Sequence, residues 1–269
     1  SLGDADAWAK TLNRAVPLGL AGLAVAIAGS MGLWNIGAEG QIMAGAIAAA
    51  WVARIGENLP GPILISGMLL AGVVGGGVLA LGPALAKAKL GVNEIITTLM
   101  LNEVAIRLVQ WLIHGPWKDP DSFNFPLAPM LPDQGRLPFL FSRAHLGLIL
   151  AILAIVIAAV AVRYTAWGYE LRIAGSSEST ARYSGISLSK KILTVLLLSG
   201  AIAGFAGSIE LAGTADRLTE TLSNGYGFAG IIVAALALMR PSGVAAVALL
   251  FGAVQILSLI HISEPTRPY

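Results

Sequence analysis

The segment Asn35-Ile36-Gly37-Ala38-Glu39-Gly40-Gln41 is polar and rich in glycine, yet it joins two apolar stretches at residues 15–33 and 38–55. No soluble loop surrounds it. Backbone that is broken at membrane depth is tolerated only where protein buries the free peptide groups or where they line a cavity. The sequence therefore predicts a membrane-embedded helix that is broken near Asn35–Gln41, inside a larger bundle.

The composition of the whole chain is that of a membrane protein. Of its 269 residues, 56% are hydrophobic and 12% are charged, and the mean hydropathy is +0.78. A charged side chain at the bilayer centre costs about 2.5–3.5 kcal/mol on insertion scales, so charges are expected in loops or along a lined interior. The 32 glycines favour closely packed helices over a barrel. This composition excludes a soluble binding module.

Apolar segments long enough to cross a bilayer, which takes about 20 residues, recur along the chain. We place eight of them at 15–33, 38–55, 62–86, 93–113, 145–163, 190–212, 225–239 and 243–260. The predicted fold class is therefore all-α: a polytopic membrane helix bundle of about eight spanning or partly spanning helices.

We expect native segments to be missing at both ends of the chain. Ser1–Ala9 is a polar lead-in without an initiator Met, so we expect a first spanning helix to be absent before it. Leu257–Arg267 reads LSLIHISEPTR, which resembles the in-frame translation of a transposon adapter used for sequencing libraries. We therefore predict a transmembrane domain at 1–256, a fragment whose C-terminal part is also missing, and an adapter-derived tail at 257–269.

Lysine and arginine in short connections predict the orientation. The connection 163–191 carries five basic residues, and others mark two further junctions, at Lys87 and Lys89 and at Arg240. The positive-inside rule makes these three sites cytoplasmic, and alternation then places 56–61, 114–144 and 213–223 outside. This distribution explains the net charge of +2 without nucleic-acid binding.

The outer connection His114–Arg143 holds six of the 13 prolines and cannot be a spanning helix. Two interpretations stay open. It is either a proline-stiffened loop at the membrane interface or a docking surface for an external partner.

The residues offer no catalytic constellation. The motifs GxxxxGK[ST], HExxH and GxSxG are absent from the sequence, and His114, His145 and His261 stand apart from one another. With no cysteine, thiolate metal sites and cysteine nucleophiles are excluded. We expect no catalytic residue, no metal site and no cofactor.

Two sets of polar residues are candidates for a path through the membrane. Glu39 is ionisable at a helix break, although it could equally cap a helix end, where the dipole favours an acid. Asn93, Thr97 or Thr98, and Leu101 or Asn102 recur at helical spacing and could offer hydrogen bonds to a lumen. The alternative for each is a hydrogen bond between helices.

Four sequence blocks occur in a fixed order between about Ala15 and Ile256. They read NIGAEGQ, GVNEIITTLMLN, GYELRIAGSSESTARYSGIS and GYGFAGIIVAALALMRPSGVAAVALLFG. Together they resemble the permease subunits of bacterial ABC importers for nucleosides and simple sugars, in the larger group that includes ribose and branched-chain amino acid permeases. The GVNE block leans toward the nucleoside branch.

The resemblance implies roles for two groups of residues. The substrate pathway would be formed by residues of the polar blocks: Asn35, Glu39, Gln41, Asn93, Glu94 and Asn102. A short coupling helix within 176–187 would seat in a groove of the ATPase, with Ser177 or Ser179 as its cap and Gly185 as its stop. The residues assigned to coupling are Arg172, Gly175, Glu178, Ala181, Arg182, Tyr183 and Gly185. In this expectation Ala181, Tyr183 and Ile186 insert into the partner; the alternative is an ordinary positive-inside loop.

The resemblance also implies an assembly in the bacterial inner membrane. Its members would be a second permease subunit, identical or related, two cytoplasmic ABC ATPase subunits that bind the ATP, and an external solute-binding lipoprotein or periplasmic protein. A rival interpretation is a secondary transporter or channel in which Glu39, Glu94 and Glu103 carry protons or cations. An intramembrane enzyme fits the residues poorly, and the solute itself is not specified by the sequence.

Overall fold

The computed structural model describes residues 5–123 and 125–263, and the side chains of 8–123 and 125–257. Most of the tail predicted at 257–269, including His261, therefore lies outside the residues whose side chains are described. The same is true of most of the polar lead-in Ser1–Ala9. The expectations about both ends stay predictions.

Within the described residues the chain forms ten α-helices. They are α1 Ala5–Gly29, α2 Ala38–Ile55, α3 Gly61–Leu90, α4 Glu94–His114, α5 Gly147–Tyr164, α6 Ala166–Ser176, α7 Glu178–Tyr183, α8 Leu188–Glu210, α9 Tyr226–Leu236 and α10 Pro241–Ser263. Each of the eight predicted segments overlaps one of these helices, although α1 begins ten residues before the predicted segment 15–33 and ends four residues before its end. The two other helices are the short α6 and α7. The all-α bundle is confirmed.

Among the residues that the structure describes, five helical segments are long and apolar enough to cross a membrane: Trp8–Gly29, Gly61–Leu90, Glu94–His114, Gly147–Tyr164 and Leu188–Ala215. The other three predicted segments are weaker as spans for identifiable reasons. Helix α2 carries Glu39 and Arg54, α9 has only 11 residues, and the apolar part of α10 described here ends at residue 257.

The predicted break is present between α1 and α2. Helix α1 ends at Gly29, the chain turns through Gly32 in the left-handed region at φ 74°, and α2 begins only at Ala38. A second interruption follows α8, where Leu211–Ala215 forms a π-helical turn that ends at Asp216 in the left-handed region. Irregular backbone therefore enters the bundle at two places.

The connections gather at the two ends of the bundle as alternation predicts. At one end, Ser189 Oγ in the first turn of α8 donates a hydrogen bond to the Ala88 carbonyl near the end of α3, at 3.0 Å. At the other end, Gln134 Nε2 donates to the Glu57 carbonyl, and Leu131 N donates to the Asp216 carbonyl at 2.8 Å. The connections predicted to be cytoplasmic and those predicted to be external therefore separate.

The outer connection contains a small hairpin, which the sequence did not predict. Strands β1 (Phe139–Phe141) and β2 (Ala144–His145) pair antiparallel, with Phe139 opposite His145. The His145 side chain is fully buried, and this desolvation lowers its pKa to about 4. Its Nδ1 accepts a hydrogen bond from Gly147 N at 3.1 Å. His145 is thus a neutral packing residue that ties the hairpin to the start of α5.

Glycines allow α2, α3 and α8 to pack with their backbones in contact. A Cβ added to Gly204 on α8 would overlap the Gly72 carbonyl on α3, and one added to Gly45 on α2 would overlap the Gly204 carbonyl. A Cβ on Gly76 would likewise overlap the Gly200 carbonyl. Such contacts are the means by which membrane helices associate without a hydrophobic driving force. Gly204 stands at the junction of all three helices.

Replacing Gly204 by Ala is therefore expected to separate the helices and lower the thermal stability of the purified chain in detergent. Gly77→Ala is the matched control on α3, because its Cβ would lie 3.8 Å from the Leu197 carbonyl, which is an ordinary contact. Thermal unfolding of both variants is the measurement. Equal melting temperatures for the two variants would contradict the packing described here.

Candidate functional site

The break between α1 and α2 is held by a network of buried amides. Asn35 Nδ2 donates hydrogen bonds to Gln41 Oε1 and to Ser199 Oγ, both at 2.7 Å. Asn35 Oδ1 accepts from Gly37 N at 3.0 Å, and Ser199 Oγ donates to the Ala24 carbonyl at 2.5 Å. The amide of Asn35 thus links both sides of the break to α8.

Asn102 of α4 forms hydrogen bonds to the backbone on both sides of the start of α2. Its Oδ1 accepts a hydrogen bond from Gly40 N, and its Nδ2 donates to the Ile36 carbonyl, each at 2.8 Å. Gly40 lies in the first turn of α2, where backbone N–H groups have no partner within the helix. One buried side chain therefore satisfies a donor and an acceptor that the break would otherwise leave unpaired.

Glu39 reaches across the bundle to the start of α9. Its carboxylate accepts hydrogen bonds from Gly227 N at 2.7 Å and from Gly225 N at 3.2 Å, and the residue is only 5% exposed. The free N–H groups and the positive end of the helix dipole both favour a carboxylate there. Of the two interpretations left open by the sequence, the structure places Glu39 in the capping position.

Glu94 and Asn93 occupy the start of α4. Glu94 is buried and pairs with Lys87 at the end of α3, with 2.8 Å between Nζ and Oε2, while Trp34 N donates to its other oxygen at 3.4 Å. Asn93 is exposed, and its side chain accepts from Ile95 N at 2.9 Å as the N-cap of α4. Glu94 therefore joins α3 and α4 to the non-helical segment between α1 and α2.

The six predicted pathway residues are thus brought to one region, but their polar groups are directed at the chain itself. Five of them are buried, and the sixth, Asn93, caps a helix at the surface. In this conformation they hold the broken segment in place. Contact between these residues and a solute stays a prediction, and it requires the segment to move.

A different face of α4 carries exposed charges. The pair Glu103 and Arg107 is joined at 2.9 Å, and their side chains are 62% and 69% exposed. Arg107 also donates to Gln110 at 3.1 Å, and Gln110 donates to Glu220 at 3.4 Å. Glu103, Arg107 and Gln110 occupy the middle and outer part of α4, a helix that is long and apolar enough to span the membrane.

Sequence reasoning missed Arg107, Gln110 and Glu220, and treated Glu103 only as an ion carrier. The signal was available for α4, because residues 103, 107, 110 and 114 are spaced by four, three and four and so share one helix face. A charge exposed to lipid at that depth is costly. This face therefore requires water or a second protein against it.

A short helix is present within 176–187 as predicted, namely α7, Glu178–Tyr183, and its role in coupling stays a prediction. Ser177 caps it by accepting a hydrogen bond from Thr180 N at 3.2 Å, and Gly185 follows at φ 76°. Tyr183 is 96% exposed, and the side chains of Glu178 and Arg182 are exposed and 3.8 Å apart. The helix presents a polar and aromatic surface at the end of the bundle that the sequence predicts to be cytoplasmic.

Two coupling residues have positions that the sequence did not predict. Ala181 is fully buried within the chain, so the expectation that it inserts into a partner is wrong for this conformation. A small apolar side chain on the inner face of α7 instead seats the helix on the bundle. Arg172 donates a hydrogen bond to the Val162 carbonyl, which ties α6 to the end of α5.

The end of α6, which leads into α7, is in direct contact with the segment between α1 and α2. A Cβ added to Gly175 would lie 3.0 Å from the Met31 Cα and the Ser30 carbonyl oxygen, so the two backbones touch. Glu170 of α6 forms an ion pair with Lys191 of α8. A displacement of α6 and α7 would therefore be transmitted to the turn that leads into Asn35.

Comparisons with known proteins agree with this architecture. The profile of the family described as branched-chain amino acid transport system / permease component matches residues 8–268. The chain is 41% identical over 239 residues to the glucose ABC transporter permease protein TsgB13 of Haloferax volcanii, covering 84% of this chain and 62% of that protein. It is 36% identical over 256 residues to the guanosine ABC transporter permease protein NupP of Bacillus subtilis, covering 93% and 73%.

A third relative and one solved structure extend the comparison. The nucleoside ABC transporter permease protein NupB of Lactococcus lactis is 30% identical over 272 residues, covering 95% of this chain and 73% of that protein. The chain thus spans 62% to 73% of the length of these three relatives. A metal-chelate type ABC transporter in an inward-facing conformation shares the fold, with a TM-score of 0.55 at 18% identity, over 98% of this chain and 79% of that one.

Asn102→Ala is expected to destabilise the chain by about 1–3 kcal/mol, because it leaves the buried Gly40 N–H and the partly buried Ile36 C=O without their partners. Gln110→Ala, which removes a partly exposed amide from the same helix, is the control and should change stability little. Thermal unfolding in detergent compares the two variants. An Asn102→Ala variant as stable as the parent chain would disprove the bracing role.

Proposed function

The chain belongs to the family of branched-chain amino acid transport system permease components, and on that premise we propose that it is the membrane-spanning permease subunit of an ATP-driven importer. The proposed cargo is a nucleoside or a simple sugar. Support for this cargo comes from the relatives, which are described as permeases for glucose, guanosine and nucleosides. The proposed location is the bacterial inner membrane.

The observation that carries the proposal is the charged outer face of α4. Glu103, Arg107 and Gln110 offer carboxylate, guanidinium and amide groups at a depth where lipid cannot solvate them. In the proposed assembly, this face meets the corresponding face of a second permease subunit across a water-filled path. Hydroxyl groups of a sugar or ribose would exchange hydrogen bonds with these side chains as they leave water.

In the proposed mechanism, the buried hydrogen-bond network and α7 transmit movement from the ATPase subunits to the membrane-spanning helices. ATP binding would draw two cytoplasmic ATPase subunits together, and each would move the α7 that it holds. Because Gly175 touches Met31, that movement would reach the broken segment braced by Asn35 and Asn102. The permease pair would then alternate between an outward and an inward opening.

The outer connection is proposed to receive the external solute-binding protein. Phe123, Phe125 and Phe139 are exposed there, although large aromatic side chains are usually buried. The backbone beneath them is fixed by hydrogen bonds from Leu131 N and Leu137 N to carbonyls of the segment after α8. A firm base with exposed aromatic rings suits protein recognition better than a freely moving loop does.

The rival is an ion-driven transporter or channel in which Glu39, Glu94 and Glu103 relay charge. The geometry gives this alternative less support. Glu39 is bonded to two backbone N–H groups and Glu94 to a lysine, so both carboxylates are already stabilised as structural acceptors. Of these three carboxylates, only Glu103 is exposed at the surface of the bundle, and it is paired with Arg107.

The water-filled path can be tested by thiol labelling, since the chain contains no cysteine. Arg107→Cys and Gln110→Cys, placed in the assembled importer, are expected to react with a charged, membrane-impermeant thiol reagent added from outside. Leu153→Cys on α5 is the control, because that exposed apolar residue lies at a similar distance from the outer end of its helix and faces lipid. Labelling of Arg107→Cys and Gln110→Cys as slow as that of Leu153→Cys would contradict the proposal.

The coupling surface is tested by Tyr183→Glu in the assembled importer. The change puts a charge on an exposed ring without touching the core, so the chain should fold while uptake falls by about tenfold or more. ATP hydrolysis by the partner subunits should continue. Tyr183→Phe keeps the ring and should keep uptake.

Normal uptake by Tyr183→Glu would refute the assignment of α7. Uptake that survives removal of ATP and disappears with an ion gradient would favour the ion-driven rival instead.

A further inference from the structure

A cavity of about 600 Å³ opens at the cytoplasmic end of the bundle, away from the break and from α7. It lies between the end of α5, the helix α6 and the start of α10. The cavity brings together Arg163, Arg172 and Arg240, which come from two separate connections that the sequence predicts to be cytoplasmic.

The cavity is strongly basic. Three guanidinium groups line it, and none of its lining residues is acidic. In the part of the chain that the structure describes, neither Arg163 nor Arg240 forms an ion pair with a carboxylate; Arg163 instead lies over the Tyr164 ring, 5.4 Å from its centroid. Arginines left without acids are suited to bind an anion with paired N–H groups, above all a phosphate.

The opposite wall of the cavity is apolar and leads into the membrane. Val160, which is 48% exposed, lines it together with Ala159 and Val162. The same side of α5 continues toward the outer surface through the exposed residues Ile149, Leu153 and Val156. A ligand that fits this shape has an anionic head at the basic end and a hydrocarbon chain along α5.

We propose that this cavity is a binding site for an anionic phospholipid of the cytoplasmic leaflet. Its phosphate would be held by Arg163 and Arg240, and an acyl chain would lie along Val160 and Val156. Basic pockets between helices on this side of a membrane have the charge and position that such headgroups need. The positive-inside rule alone accounts for the arginines, but it does not account for a cavity with one basic and one apolar wall.

The site also has a structural consequence for the neighbouring helices. Arg172 in the same cavity ties α6 to α5, and α6 leads directly to Gly175 and α7. A lipid bound between Arg163 and Arg240 would therefore bridge α5 to α10 beside α6. The proposal does not depend on the proposed transport function.

The test compares lipid retained by the purified chain after extraction from membranes of known composition. The double variant Arg163→Gln with Arg240→Gln should retain about tenfold less anionic phospholipid than the parent chain. The control is Lys89→Gln with Lys190→Gln, which removes two exposed positive charges at the same end but outside the cavity. It should retain lipid like the parent.

A second variant tests the apolar wall with every charge kept. Val160→Trp places a large ring in the cavity from a half-exposed position that tolerates added volume, and it should also reduce retention. Adding phosphatidylglycerol should raise the melting temperature of the parent chain more than phosphatidylcholine does, and the double arginine variant should lose that difference.

Three results would overturn the proposal. In the first, the double arginine variant retains as much anionic lipid as the parent chain. In the second, the lysine control loses as much lipid as the double arginine variant, which would indicate only a general electrostatic attraction between lipid and the basic surface. Inorganic phosphate at millimolar concentration could stabilise the chain as well as phosphatidylglycerol does, which would identify the site as one for free phosphate.

Discussion

The absence of water at membrane depth is the constraint on which this structure depends. Between Gly29 and Ala38 the chain leaves its helix, and the buried peptide groups of that segment need partners from the protein. Asn35 accepts a hydrogen bond from Gly37 N, Asn102 donates one to the Ile36 carbonyl, and the carboxylate of Glu39 in the first turn of α2 accepts one from Gly227 N of α9. The bundle is therefore organised around a non-helical segment, with α4 and α8 attached to it by polar side chains and α9 attached to the first turn of α2. Glycines at the contacts of α2, α3 and α8 bring the helices close enough for these bonds to form.

Much of the architecture could be predicted from the sequence, because hydrophobic length and glycine-rich breaks are local signals. The break at Asn35–Gln41 and the capped turn at Ser177 were both recognised from neighbouring residues alone. The partners of the buried polar groups could not be predicted in this way. Glu39 bonds to Gly227, 188 positions away, and Asn102 bonds to Gly40, 62 positions away. Nothing near Glu39 distinguishes an acid that caps a distant helix from one that faces a solute.

The orientation of each helix about its own axis was the second feature that could not be predicted from the sequence. A polar residue within an apolar stretch shows that some face of α4 is polar, but not which face is buried. The sequence directed attention to Glu94 and Asn102, which hold the bundle together, and to Asn93, which caps α4 at the surface, whereas the exposed charges of α4 are Glu103 and Arg107. The same limit explains Ala181, whose position on the inner face of α7 depends on how that helix is seated. The structure separates the residues that hold the break from the charged residues that are exposed on α4.

A structure of the assembled importer with bound solute would test the central claim most directly. The account predicts that solute lies between the two permease subunits against the face of α4 that carries Arg107, while Asn102 still bonds to the segment between the helices α1 and α2 or exchanges those bonds as the segment moves. Finding that face of α4 packed against acyl chains, with the solute elsewhere, would contradict it.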